Sequence, residues 1–188
     1  MIRYYHYQLH NQIRKNDFFS ALLQSGSFDL EHFDIDCDTG CFIAEDETII
    51  SLEQCIPSLI QDFDYGIRIM SSFSDTSFMR YLFNLSFQLE FKHMYYYYEV
   101  LFQALLDHDQ TSINYLHQII SKLTREDIET LRMYMQCSMN ANRASSALFI
   151  HRNTFHYRIN RILDKTGIDF KDFNNMLLFT YCDMITKK

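Results

Sequence analysis

Between Asn142 and Gly167 the chain spells two helices with almost nothing between them, and that spacing constrains the fold more than any other stretch. Residues 143–149 read as a short helix capped by Asn142, with Ala144, Ala147 and Leu148 as a compact inner face. Ile150-His151 leaves room only for a brief turn, and residues 152–165 continue as a second helix ended by Thr166-Gly167. A short Ala-rich helix followed at once by a polar, basic one is a helix-turn-helix pattern. At about 100° per residue, Phe155, Ile159, Ile162 and Leu163 share one side and face the domain. Asn153, Tyr157, Asn160, Arg161 and Asp164 lie opposite, with His156 on one flank and Arg158 and Lys165 on the other. Amides and guanidiniums suit base edges, and cations along an edge suit phosphates. A solvated amphipathic helix in an ordinary bundle would give the same wheel, so the wheel alone leaves both readings open.

The charge distribution agrees with a basic module carried by an acidic neighbour. The chain of 188 residues has a formal net charge of −7. Residues 1–124 hold 17 acidic and 7 basic side chains, −10, whereas residues 125–188 hold 7 acidic and 10 basic, +3. One Pro and four Gly exclude collagen-like and linker-like classes, and 16% aromatic residues argue against disorder. Polar residues interrupt every apolar stretch short of the roughly 18 that a membrane span needs. The first residues lack the apolar core of a signal peptide, and five scattered Cys do not suit a disulfide framework, so the expected setting is cytoplasmic.

Upstream, residues 17–26 read as a helix with Phe18, Leu22 and Leu23 along one stripe, followed by an acidic, turn-rich stretch over 27–40. Residues 41–44 suit a buried strand and 48–50 a second strand or its continuation. Ser51, with Gln54 at capping-box spacing, starts the next helix, and Pro57 lies inside it. A strand over 66–70 and a long helix from Ser74-Asp75 to about Lys92 follow, then helices over 95–107, 111–122 and 125–136. The expected fold class is α+β and mostly helical: a small α/β N-terminal domain, then an all-α helix-turn-helix domain.

The run from Asn142 to Ile162, with Thr166-Gly-Ile-Asp169 after it, resembles the C-terminal helix-turn-helix of PucR/CdaR-type bacterial transcriptional regulators. His151-Arg-Asn-Thr154, Tyr157-Arg158 and Arg161-Ile162 carry the specific part of the likeness. The resemblance implies sequence-specific binding of double-stranded DNA by a dimer. Stretches 17–23, 33–36 and 67–73 resemble the degenerate GGDEF-like domain that precedes this motif in many CdaR-type regulators, here shortened and without a GGDEF sequence. The implied organisation is a GGDEF-like domain over 1–92, connecting helices over 93–124, and a DNA-binding domain over 125–188. Arg152, Asn153, His156, Tyr157 and Asn160 are expected to read bases, and Arg143, Thr154, Arg158, Arg161 and Lys165 to meet phosphates. Family members often carry Arg where this chain has His156 and Asn160, which lowers phosphate affinity here or changes the site read. The turn at Phe149-Ile150 has no Gly, so it forms without left-handed geometry or with strain.

No enzyme signature emerges: no HExxH, phosphate loop or nucleophile elbow is present. Cys37 and Cys41 with His32 nearby are too few for a typical zinc site, so neither metal nor cofactor is expected. Cys55, Cys137 and Cys182 read as core residues, and Tyr95-Tyr-Tyr-Tyr98 as a buried or dimer-facing patch rather than a base-stacking platform. The expected partners are double-stranded DNA, a second copy of the chain and an unidentified small-molecule effector, with no membrane. A regulator remnant acting by protein association, and an enzyme with an unrecognised site, remain the alternatives.

Overall fold

The computed structural model describes residues 2–10, 12–24, 31–90 and 94–186. The fold is α+β and mostly helical, and the chain divides into two compact units, Met1–Gln103 and Ala104–Lys188.

The first unit is built on a sheet. Strands β1 (Ile2–Leu9), β2 (Glu31–Asp34), β3 (Thr39–Glu45), β4 (Ile67–Ser72) and β5 (Tyr95–Tyr96) lie in the order β2-β3-β1-β4-β5. The first four pair antiparallel and β5 joins β4 in parallel. With α1 (Lys15–Gln24) between β1 and β2, and α2 (Asp46–Asp62) between β3 and β4, this is a split βαβ arrangement. Alternation divides the faces of β1: Tyr5, Tyr7 and Leu9 pack with Phe42, Ile67 and Ile69 against Phe18 and Leu22 of α1 and Leu52, Ile56 and Ile60 of α2. The rings of Tyr5 and Phe42, cross-strand partners, stack at 5.0 Å. Glu53 accepts from the hydroxyls of Tyr5 and Tyr96, so a buried and a half-buried phenol share one carboxylate. His6, between Tyr5 and Tyr7, faces the other way and meets Phe83 of α3 (Ser77–Leu85) at 6.0 Å between ring centres.

Several expectations change here. Residues 2–9 form the strand that pairs on both sides, β3 and β4, although no element is read there from sequence. Alternation is hidden because Arg3 and His6, polar by type, are themselves buried. Part of the acidic stretch 27–40 is strand β2. Residues 48–50 belong to α2, which starts at Asp46, so Ser51 lies inside the helix and caps nothing. Pro57 sits within α2 without ending it, giving up one backbone donor. Leu23 is exposed, while Phe18 and Leu22 are buried. The helix expected from Ser74 starts at Ser77, capped by Thr76 rather than by Ser74-Asp75, and gives way to a 3-10 turn over Ser86–Gln88. The helix therefore ends at Leu85, short of the expected end near Lys92, while the stop at Gly26 lies outside the described residues. Tyr95 and Tyr97 are buried, which accounts for half of the tyrosine run, and α4 (Tyr97–Leu106) follows. Cys182 is buried as expected, whereas Cys55 and Cys137 are only half-buried.

The second unit is all helical: α5 (Gln110–Ser121), α6 (Arg125–Gln136), α7 (Ala141–Ala147), α8 (Arg152–Thr166) and α9 (Phe173–Thr186). α5 packs on α9, and α6, α7 and α8 pack on one another. Leu131, Tyr134, Ala144, Phe155, Ile159 and Ile162 form the buried centre of the three-helix group, with Tyr134 edge-on to Phe155 at 5.2 Å. The Asp183 carboxylate on α9, 5% exposed, takes an ion pair from Arg132 on α6. No helix among the described residues is long and apolar enough to cross a membrane.

Candidate nucleic-acid interface

Short capping interactions shape the motif. Asn140, not Asn142, caps α7: its side-chain oxygen accepts from the backbone N–H of Asn142 and Arg143 at 3.1 and 3.0 Å. Ala144 and Ser145 are buried in α7, whereas Ala147 is exposed, so the inner face is rotated from the one expected. The turn then closes by backbone bonds from Phe149 N–H to Ser146 O and from Ile150 N–H to Ser145 O. Phe149 adopts φ 56°, the left-handed region, with its ring 96% exposed. The glycine-free turn is therefore made with strain. Its neighbour His151 caps α8, Nδ1 accepting from Asn153 N–H at 3.2 Å. At the far end Gly167 takes φ 72° and donates to Leu163 O at 2.7 Å, a standard helix stop.

α8 shows two contrasting faces. Phe155, Ile159 and Ile162 are buried, and Leu163 is half-buried. Arg152, Asn153, Thr154, Tyr157 and Asn160 are exposed, as is Arg143 on α7, while His156 is half-buried. Arg152 and His156 approach at 3.3 Å, one turn apart, and Lys171 Nζ reaches the Asn160 side-chain oxygen at 3.1 Å. The outward run therefore presents amide, guanidinium, hydroxyl and phenol groups along about two and a half turns.

The third edge of α8 is engaged with α6. Arg158 meets Glu126 at 2.8 Å, Arg161 meets Glu126 at 2.6 Å and Asp127 at 2.5 Å, and Lys165 meets Asp127 at 2.5 Å. Asp127 is fully buried and also closes a capping box: it accepts from Thr124 N–H at 2.9 Å while the Thr124 hydroxyl accepts from Asp127 N–H at 3.2 Å. Burial pushes the Asp127 carboxyl upward, but hydrogen bonds from Lys165, Thr124 and Arg161 outweigh it and hold the group well below the ordinary carboxylate range. The Arg161 hydrogen bond likewise lowers Glu126, against an opposing effect of desolvation and with help from Arg158. These partners are invisible in the sequence. The i, i+4 spacing of Arg161 and Lys165 signals a shared edge, and only the fold brings that edge to the start of α6.

Residues 128–181 match the PucR C-terminal helix-turn-helix domain. Over 91 residues the chain is 34% identical to the carbohydrate diacid regulator of Escherichia coli (strain K12), covering 45% of this chain and 24% of that protein. Over 98 residues it is 33% identical to the DNA-binding transcriptional activator AdeR of Bacillus subtilis (strain 168), covering 47% of this chain and 23% of that protein. The match thus spans about a quarter of the length of these curated relatives. The crystal structure of a regulator of polyketide synthase expression from Bifidobacterium adolescentis aligns with 99% of this chain and 80% of that one, at 14% identity and a TM-score of 0.47.

Proposed function

We propose that this chain, whose residues 128–181 match the PucR C-terminal helix-turn-helix domain, is a sequence-specific, DNA-binding transcriptional regulator of the PucR/CdaR type that works by binding rather than catalysis. One observation carries the reading: the polar face of α8, from Arg152 through Asn160, is exposed opposite a face buried by Phe155, Ile159 and Ile162. That leaves a helix fixed from behind and free to enter a major groove. The relatives' names, a regulator and a DNA-binding activator, point the same way.

Arg152, Asn153, Tyr157 and Asn160 read base edges in this proposal, with half-buried His156 at their flank. Phosphates are met first by Arg143 and Thr154, both exposed. Arg158, Arg161 and Lys165 have a double part: they lie along the groove edge and also hold α8 to Glu126 and Asp127. A phosphate must compete with those carboxylates for them, so their contribution per contact is smaller. Two-fold pairing places two reading helices about 34 Å apart or a multiple of it. Phe173 and Met184 on α9, 65% and 64% exposed, are the proposed self-contacts, and the protein works in the cytoplasm. The unit over 1–92 is read as a shortened, non-catalytic GGDEF-like domain, residues 93–124 as the connection to 125–188, and an effector remains to be identified. The split βαβ order of the first unit supports this assignment.

Selection from random DNA followed by anisotropy titration tests the function. A single enriched motif with two-fold symmetry, bound far more tightly than random duplex, is the expected result. Equal affinity for selected and random DNA would reject sequence-specific regulation and favour association with protein.

A further inference from the structure

On the sheet face turned from α1 and α2, three ligating side chains converge. His6 on β1 and Cys41 on β3 are direct cross-strand partners, and Asp75 follows the end of β4. Their ligand atoms all lie within 4.8 Å of one another, with His6 Nδ1 at 3.7 Å from Asp75 Oδ1. His6 is 1% exposed and Cys41 fully buried. The far side of the imidazole is anchored, with Nε2 at 3.1 Å from the Ser72 hydroxyl and 3.4 Å from the Ser74 carbonyl. A carbonyl only accepts, and the Ser72 hydroxyl gives its own proton to that same carbonyl at 2.8 Å. Nε2 therefore carries the ring proton, and Nδ1 presents a lone pair to Asp75 and Cys41. That buried Nδ1 has no hydrogen-bond partner. A buried acceptor left unmatched needs an explanation.

We propose that His6, Cys41 and Asp75 form a binding site for a thiolate-loving divalent cation, with zinc as the representative ion. Nitrogen, sulfur and carboxylate oxygen supply three of the four positions of a tetrahedral ion, and water completes the set. Bond lengths of roughly 2.0 Å to nitrogen and 2.3 Å to sulfur put tetrahedral ligand atoms about 3.5 Å apart, so the cluster, within 4.8 Å now, closes by about 1 Å on binding. The anchored Nε2–H is the outer bond that a metal-bound histidine needs to fix its ring. Arg80 plays a similar part for Asp75, donating from Nε at 2.7 Å and from Nη2 at 2.5 Å, which leaves a lone pair on Oδ1 to face the ion. Binding exchanges the Cys41 thiol proton, released to solvent, for a sulfur–metal bond. A cavity of about 310 Å³ whose wall includes His6, Gln8, Thr39 and Arg80 lies beside the cluster and admits the ion with its water. The site is independent of the DNA-binding reading.

The test uses the full chain stripped with a chelator and titrated with Zn2+, with Co2+ as a spectroscopic stand-in. One ion per chain, a thiolate-to-cobalt charge-transfer band and a higher melting temperature with zinc are expected. Cys41→Ser removes the band, while Cys37→Ser, at an exposed cysteine, leaves it intact. Should Cys41→Ser fail to fold, Asp75→Asn serves instead: its side chain is partly exposed, and it should weaken zinc binding by about tenfold or more with unchanged circular dichroism. No bound ion, a band that survives Cys41→Ser, or zinc affinity untouched by Asp75→Asn would overturn the proposal.

Discussion

Each unit holds a polar cluster built around an aspartate, Asp127 in the helical unit and Asp75 in the sheet unit, and the two differ in what they leave unmatched, an N–H donor in the first and an acceptor in the second. Every oxygen of Asp127 is matched: Oδ1 by Arg161, Oδ2 by Lys165 and the Thr124 N–H. The cluster at Asp75 matches its carboxylate with Arg80 but leaves the neighbouring His6 Nδ1 without a donor. A carboxylate matched on both oxygens ties together the elements it joins, here the start of α6 and one edge of α8, although Arg161 Nε beside it is buried without a partner. At His6 the unmatched atom is an acceptor beside a thiol and a carboxylate, the kind of place where a cation would lower the free energy. Buried polarity thus serves as scaffold in one unit and as a candidate binding site in the other.

Removing Asp127 breaks the comparison most severely. Asp127→Ala strips the capping box, leaves Arg161 with Glu126 alone and takes from Lys165 the carboxylate it meets. Both cations are partly exposed and can turn to water, so the loss should be about 2–3 kcal/mol, the lower end for a disrupted buried pair. Urea unfolding of the full chain measures it, and an unmoved midpoint would show that the network carries no stability. The same carboxylate sets an acid limit. Its folded value lies below the ordinary 3.8, so its contribution is fully present above that pH and is lost as pH falls through the folded value. The stability gap between the parent and Asp127→Asn should therefore shrink below about pH 4.

The outer face of α8 comes next in size. Asn153→Ala should cost about 1–3 kcal/mol on the selected site and relax preference at one base, with melting temperature unchanged because Asn153 is exposed. Parent-like binding of both cognate and random DNA would reject α8 as the reading helix. A smaller effect separates the two kinds of cation. Arg143→Ala should reduce the salt slope by about one unit without affecting stability. Arg158→Ala should reduce the slope by less, because Glu126 already holds that cation, and also loosen α6 from α8 by up to about 1 kcal/mol. An unchanged slope in Arg158→Ala would assign that residue to the scaffold alone.

What the sequence disclosed follows the range of the interactions. The buried stripe of α8 and its Gly167 stop are local, and both are readable at helical spacing. The pairing of Arg161 and Lys165 with Asp127 joins residues more than thirty positions apart, so only the shared edge of the two cations shows in advance. Strand β1 escaped because its buried residues include a histidine and an arginine, which weaken the alternation of Tyr5, Tyr7 and Leu9. The cluster at His6 was equally hidden. Cys41 draws attention through its spacing from Cys37, yet its neighbours are set by strand register, and Cys37 points into solvent.

The mildest expected change lies at the turn between the two helices. Phe149 holds φ 56° with almost its whole ring in water, so it bears the left-handed penalty without packing in return. That penalty is about 1–2 kcal/mol for a residue with a Cβ. Glycine removes it but adds roughly 0.5–1 kcal/mol of unfolded-chain freedom. Phe149→Gly should therefore raise stability by no more than about 1 kcal/mol, whereas Phe149→Ala keeps the strain and should be nearly neutral. The pair of variants also tests why an aromatic ring stands there. If Phe149→Gly and Phe149→Ala both weaken DNA binding equally, the ring itself contacts the duplex or the partner subunit. If only glycine weakens it, the strained turn sets the angle at which α8 meets the groove.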